Sequence, residues 1–351
     1  MKRENEISGF VQLGKLMSAL GNEEIWTNYS IGATEIEYQK LQGIIGKQFV
    51  LNGWFSKENV LQSLLSLGNQ LTENNLNNWL KDYTYSISPK RIGIIMAGNI
   101  PLVGFHDFLC VLLSGNSVVA KLSSDDNTLL PALAEQLIQY TPSLKERINF
   151  SFGKLGEIEA IIATGSNNST KYFEQYFGHY PHLFRKNRTS IAILTGEETK
   201  EELTALGKDI FSYFGLGCRN VSHLLIPKDF NLNRFFEAIV DYHPIVNHHK
   251  YANNYDYNKA VFLMSNFKLL DNEFLTLKED SSHASPISSV FYERYENLEE
   301  IQSRLQHEED QIQCIVSNNL IENSIAFGQT QQPKLWHYAD NVDTIKFLLK
   351  I

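Results

Sequence analysis

Residues 91–124 read RIGIIMAGNIPLVGFHDFLCVLLSGNSVVAKLSS, and this stretch decides the fold. Arg91–Ile95 is a short apolar run around one glycine, the pattern of a strand covered on both faces. Ala97-Gly98-Asn99 is a turn, and Pro101 suits the first turn of a helix, where a missing N–H is no loss. Leu102–Leu113 is apolar enough for a buried helix. Ser114-Gly115-Asn116 turns the chain, and Ser117–Lys121 is a second, β-branched strand. The rhythm continues with a helix over Leu129–Tyr140 and strands at Ile148–Phe152 and Glu159–Ala163. After the turn Thr164-Gly165-Ser166 a helix covers Asn168–Phe177. Strands alternating with helices at this spacing mean βαβ units, an α/β class and a largely parallel sheet.

Upstream, the first ninety residues read as helices. Leu61, Leu64 and Leu65 recur at helical spacing, and Thr72-Glu73 is a helix start. Downstream, the basic and aromatic segment Tyr180–Arg188 interrupts the pattern and marks a domain boundary. A second block follows, with a strand at Ser190–Thr195 and a helical face made by Leu203, Leu206, Ile210, Phe211 and Phe214. Gly215-Leu216-Gly217-Cys218 breaks that helix before a strand at Val221–Ile226. Beyond Tyr242 the periodicity weakens, leaving strands at Pro286–Phe291 and around Gln313–Val316.

The chain has 351 residues, too many for one small core and suited to two domains. A hydrophobic fraction of 43% and an aromatic fraction of 12% exclude global disorder. The formal net charge of −9 speaks against a nucleic-acid binder, which carries a basic face. Three cysteines, Cys110, Cys218 and Cys314, form no disulfide framework and suit a reducing compartment. Met1–Phe10 lacks the apolar run of a signal peptide, and the most apolar stretch, Ile92–Leu122, is broken by charges and glycines. The expectation is therefore a cytoplasmic protein without a membrane span.

Cys218 is the leading candidate for chemistry. Flanking glycines leave room for a substrate to reach the sulfur, and Arg219 favours the thiolate; a small buried hydrophobe is the equal alternative. Cys110 and Cys314 lie in plain helical and strand contexts and read as structural. The Asn99 amide, in a strand-to-helix turn, can donate to an oxyanion, although asparagine favours turns for its own sake. Lys121 ends a buried strand, where α/β proteins bind ligands. It suits ribose hydroxyls or a phosphate, or is simply a solvated strand end. Gly165-Ser166 opens a helix whose N–H groups suit a pyrophosphate. Neither standard nucleotide fingerprint is present. His243, His248 and His249 have no metal-ligand spacing, so no metal is expected, and His223 reads as a strand-face residue more than a proton carrier.

In order, these pieces resemble the aldehyde dehydrogenase superfamily. The segment from Arg91 to Leu102 is similar to its strand-turn ending Asn-Phe-Pro-Leu, and Ser114–Ser123 to its Ala-Gly-Asn-x-Val-Val-x-Lys-Pro-Ser. Ala163–Ser166 resembles Phe-Thr-Gly-Ser, Phe214–Cys218 resembles Gly-Gln-x-Cys, Ser285-Pro286 stands near Phe-Gly-Pro, and Phe327-Gly328 near Phe-Gly-Gly. Gly217–Ser222 and Phe327–Gln331, with Tyr338-Ala339-Asp340, are most similar to the fatty-acyl-CoA reductases associated with bacterial luciferase.

The resemblance implies two Rossmann-like α/β domains. One is a cofactor domain, residues 1–188 with a returning tail 321–351 and the helical N-terminal segment; the other is a catalytic domain, residues 189–320, with the reaction in the cleft between them. It implies catalytic roles for Cys218 and Asn99, and cofactor contacts at Met96, Ala97, Lys121, Ser123, Gly165 and Ser166. It also implies a homo-oligomer, and an acyl-CoA or an acyl-donor protein as partner. The departures set the reaction. The superfamily's water-activating Glu has no counterpart in Arg185–Thr189, so an acyl-enzyme waits for hydride rather than water. The acid of Lys-Pro-Ser-Glu is Ser124 here, leaving room for a 2′-phosphate and favouring NADPH over NADH. The Glu that holds the nicotinamide ribose is missing from Ser281–Ser285. The expected activity is reduction of an acyl-CoA to an aldehyde. The rivals are an acyl-phosphate reductase of the glutamyl-phosphate type, a thiol hydrolase or acyltransferase without nicotinamide, and a non-catalytic binding subunit on the same fold.

Overall fold

The computed structural model describes residues 2–151 and 153–351. The chain divides into two compact units, residues 1–187 with 334–351, and residues 188–333.

The first unit begins with four helices: α1 (Lys2–Gly21), α2 (Glu35–Leu51), α3 (Lys57–Gln70) and α4 (Glu73–Leu80). Thr34 and Glu37 cap α2 reciprocally, and the Thr72 hydroxyl takes the Asn75 amide at the start of α4, satisfying N–H groups that a helix start leaves open. Phe10, Leu13, Leu16 and Met17 on α1 are fully buried. α1 reaches α3 at glycines: a Cβ on Gly68 would stand 2.8 Å from the Gly14 carbonyl oxygen. The sheet follows, with β1 (Arg91–Ile95), α5 (Phe105–Leu113), β2 (Ser117–Lys121), α6 (Leu129–Tyr140), β3 (Ile148–Ser151), β4 (Ala160–Thr164), α7 (Asn167–Phe177) and β5 (His182–Arg185). All pairings are parallel, in the order β3-β2-β1-β4-β5, so the order reverses beside β1.

Three readings of this unit change. Phe152, expected to end a strand, lies outside the described residues. The buried helix starts at Phe105 and not at Leu102, because Leu102 has φ +59° and the chain turns through Pro101–Gly104; Pro101 is not in the first helical turn. The segment Tyr180–Arg188, within which the two units part between Asn187 and Arg188, also contains β5, whose four residues are too few for a period to emerge.

The second unit contains β6 (Thr189–Ile193), α8 (Lys200–Phe211), β7 (Val221–Pro227), α9 (Leu232–Ala238), α10 (His249–Met264), β8 (Leu269–Asp271), β9 (Thr276–Glu279), β10 (Ser289–Tyr295), α11 (Leu298–His307) and β11 (Ile312–Val316). The sheet order is β11-β6-β7-β10-β9-β8, parallel except for the short β8 edge. β10 starts at Ser289, later than the expected Pro286, because Pro286–Ser289 is a turn with Ser288 at φ +63°. Phe214 does not extend the face of α8. That helix ends at Phe211, and Tyr213, Phe214 and Gly215 have φ of +52°, +58° and +79°.

The tail rejoins the first unit from Lys334, not from residue 321. Residues 328–330 stay with the second unit because buried Asp209 on α8 accepts the Gly328 amide at 2.6 Å and the Thr330 amide at 3.0 Å. In the first unit the tail is held by Tyr338, whose hydroxyl accepts from Trp79 Nε1 at 2.8 Å, and by α12 (Thr344–Leu349). Among the described residues no helix is long and apolar enough to cross a membrane.

Candidate active site

The predicted cofactor residues gather at the carboxyl ends of β1, β2 and β4, beside the point where the strand order reverses, which is where open α/β sheets bind nucleotides. Met96 follows β1, buried, and its N–H donates to the Lys121 carbonyl at 3.0 Å. Ala97 is half-buried and Asn99 is exposed on the next turn. Gly98 presses on the loop after β2, where a Cβ would stand 2.5 Å from Ser123 Oγ. Lys121 is exposed at the end of β2. Gly165 is needed for packing as well, because a Cβ there would meet Ser169 and Phe173 at 2.8–3.0 Å. Ser166 caps α7, its hydroxyl accepting the Ser169 amide at 3.2 Å. It therefore already satisfies part of the N–H cluster that was expected to face a pyrophosphate.

One residue of this loop cluster was missed. Asp126 is buried, and its Oδ2 accepts the Leu102 amide at 2.7 Å, while Oδ1 has no hydrogen-bond partner among the described residues. Burial pushes its carboxyl up to about 6. It ties the loop after β2 to the turn carrying Asn99. An acid two residues past Ser124 carries no sequence signal for that task.

Cys218 lies in the second unit, exposed, in the tight turn Gly217–Asn220 that leads into β7. The turn is closed by the Asn220 amide donating to the Gly217 carbonyl at 3.0 Å. Ser190 on β6 donates its hydroxyl to the Cys218 carbonyl at 2.9 Å and lies 2.9 Å from Cys314 Sγ. Left-handed φ at Tyr213 and Phe214 costs of order 1–2 kcal/mol each, and such strain survives only where surrounding bonds hold it.

The other cysteines are less accessible, Cys110 buried and Cys314 half-buried. Burial holds the Cys110 thiol far above its usual range, and burial pushes the Cys314 thiol up to about 11.

His223 is fully buried. Its Nδ1 faces His283 Nδ1 at 3.2 Å, and its Nε2 is 3.5 Å from Glu293. His283 Nε2 meets Glu308 at 2.8 Å, and Arg304 grips Glu293 with both terminal nitrogens at 2.9 and 3.0 Å. Burial pushes His223 down to about 4, so it is neutral at physiological pH and serves the strand face. The segment around His283 is hooked to β7, with Ser222 Oγ donating to the His283 carbonyl at 2.7 Å. No acid appears at the end of β5. Arg185 is buried there, its Nη2 2.6 Å from Asp107 and 2.9 Å from Thr344 Oγ1, and its Nη1 2.8 Å from the Ala339 carbonyl.

Residues 35–229, which include Asn99, Lys121, Gly165 and Cys218, match the model of the acyl-CoA reductase (LuxC) family. The chain belongs to that family. It is an oxidoreductase acting at the acyl and aldehyde level. No curated protein matches it in sequence. Among solved structures, this LuxC-family reductase resembles aldehyde dehydrogenase 21 from Physcomitrella patens in complex with succinate, at 11% identity, over 99% of this chain and 85% of that one, with a TM-score of 0.64. It also resembles P. syringae AldA, an indole-3-acetaldehyde dehydrogenase in complex with NAD+ and IAA, at 12% identity, over 91% and 73%, with a TM-score of 0.62. Aldehyde dehydrogenase KauB from Pseudomonas aeruginosa stands at 12% identity, 90% and 72% coverage, and the same TM-score of 0.62. At these identities the likeness is one of fold: the LuxC-family chain has the aldehyde dehydrogenase fold.

Proposed function

We propose that the protein reduces acyl-CoA thioesters to aldehydes through an acyl-thioester on Cys218, with NADPH as reductant. The observation that carries this reading is the contrast among three sulfurs. Cys218 alone is exposed, in the turn that follows Gly217, while burial raises the Cys110 and Cys314 thiols. In this reading the first unit holds the dinucleotide and the second supplies the nucleophile.

Cys218 Sγ attacks the thioester carbonyl as a thiolate, forming the S–C bond. The oxyanion takes a hydrogen bond from the Cys218 backbone N–H and from the Asn99 amide, the proposed side-chain donor. Its collapse breaks the bond to sulfur of coenzyme A, which leaves as its thiolate. When bound, a dihydronicotinamide would be the source of hydride for the acyl carbon, giving a thiohemiacetal oxyanion on Cys218. The thiohemiacetal then expels Cys218 as thiolate and frees the aldehyde. Arg185, and not a carboxylate, stands at the end of β5, so no base there draws water onto the acyl-enzyme.

In this reading the loops after β1, β2 and β4 receive a dinucleotide, with Lys121 exposed at the carboxyl end of β2. Lys121, Ser123, Met96, Ala97, Gly165 and Ser166 would hold it. Ser124 leaves space for a 2′-phosphate next to Lys121, and Asp126 is turned inward onto Leu102. Asp125, exposed in the same loop, is the observation that favours NADH as the second reading. The cytoplasm, a homo-oligomeric assembly and acyl groups delivered as acyl-CoA or by a donor protein complete the proposal.

Cys218→Ser tests it. Wild-type protein incubated with an acyl-CoA gains the acyl mass on the peptide bearing Cys218 and oxidises NADPH. The variant is expected to do neither, an activity loss of at least about 10³-fold. An acyl adduct that persists in Cys218→Ser sinks the assignment.

A further inference from the structure

We infer that Asn220 is the positioning residue of the reaction, a clamp that fixes the Cys218 turn onto the end of α8. The inference rests on Cys218 being the nucleophile. Asn220 is 3% exposed, and its amide is used at both ends. Oδ1 accepts the Gly217 amide at 2.8 Å. Nδ2 points to three carbonyls, Asp209 at 3.0 Å, Ile210 at 3.2 Å and Ser212 at 2.8 Å. Those carbonyls belong to the last turn of α8 and its cap, which a helix terminus leaves without intrahelical donors. A donor is demanded on one side and an acceptor on the other, so the orientation of the amide follows from its partners. Aspartate would turn an oxygen onto three oxygens, and leucine would leave them all unpaired in the interior.

The chain between the two ends of this clamp is the chain that needs holding. Tyr213, Phe214 and Gly215 are left-handed in succession, and Cys218 follows three residues later. Asn220 grips Ser212 before the strained stretch and Gly217 after it. The Cys218 carbonyl is pinned separately by Ser190. The same α8 residue whose carbonyl meets Asn220 uses its carboxylate to hold Gly328 and Thr330, so one helix end orders both loops of the second unit that the sequence singled out. With sulfur and backbone N–H fixed by one turn, the nucleophile and the oxyanion donor keep their mutual geometry.

The experiment is alkylation of Cys218 by iodoacetamide across pH, read on the intact protein by peptide mass, beside steady-state kinetics. Asn220→Ala, folded by circular dichroism, is expected to slow alkylation and lower kcat about 10- to 100-fold. It should shift the midpoint of the alkylation pH profile and leave the KM for NADPH unchanged. A folded variant with wild-type alkylation and kcat overturns the inference. Should Asn220→Ala not fold, hydrogen exchange on the wild-type protein decides. A Gly217 amide protected as well as that of Leu224 on β7 upholds the clamp, and rapid exchange at Gly217 overturns it. Alkylation reads the sulfur whether or not it accepts acyl groups, so failure of Cys218 as nucleophile appears in the Cys218→Ser adduct and not in this assay.

Discussion

The turn after β1, which carries Asn99, and the turn before β7, which carries Cys218, are held by different physics. In the first unit, glycine backbone is pressed against side chains, Gly98 against Ser123 and Gly104 against Met96, with the Asp126 carboxylate on the Leu102 amide and the Ser63 hydroxyl on the Pro101 carbonyl. In the second, polar side chains do the holding, through Asn220, Asp209 and Ser190. A turn that presents an exposed sulfur after a left-handed stretch is specified by directional bonds, because packing alone does not choose among nearby backbone angles.

The comparison can be broken most sharply at Asn99. If it is the oxyanion donor, Asn99→Ala lowers kcat about 10²–10³-fold and leaves the iodoacetamide rate of Cys218 as in wild type. An equal drop in both would mean that the two turns are not held independently.

Acid comes next, because His223 in the second unit and Asp126 in the first act with opposite sign. His223 is held near 4, below its free value of 6.5, so the unfolded chain binds the extra proton between those values. The second unit therefore loses stability as pH falls from about 6.5 to about 4, up to about 3 kcal/mol from this group. Asp126 is raised from 3.8 to about 6, so its burial weakens the first unit as pH rises through that window. Thermal unfolding of His223→Gln and Asp126→Asn between pH 4 and pH 7 reads both. The difference from wild type in Tm should slope in opposite directions, and parallel slopes would refute the assignment.

The smallest effect is expected at Lys121. Lys121→Ala should raise the KM for NADPH about two- to fivefold, the size of one exposed charged contact, with little change for NADH. Equal effects on both cofactors would favour NADH and the Asp125 reading.

Much of the first unit was readable along the chain. β1, β2 and α6 stand where the apolar runs put them, and Thr72 caps α4. Those elements are long, or flanked by Gly, Pro and capping residues, so local physics suffices. β5, β8 and β9 were not readable, since three or four residues carry no period and their pairing comes from neighbours already in the sheet. Phe214 has the spacing of the α8 face and still leaves the helix, because Asn220 and Gly217, which lie beyond it, set its backbone.

The sequence by itself determined the α/β alternation, the glycine-flanked Cys218 and the polar ends of the strands, because each of these is a property of neighbouring residues. Only the tertiary structure decided that Arg185 is buried on Asp107 and the returning tail, that His223 is neutral, and that Asn220, Asp209 and Asp126 hold their turns. Each depends on burial and on partners up to 159 positions away in the chain, and a carboxylate or amide has no role until its surroundings withdraw water from it.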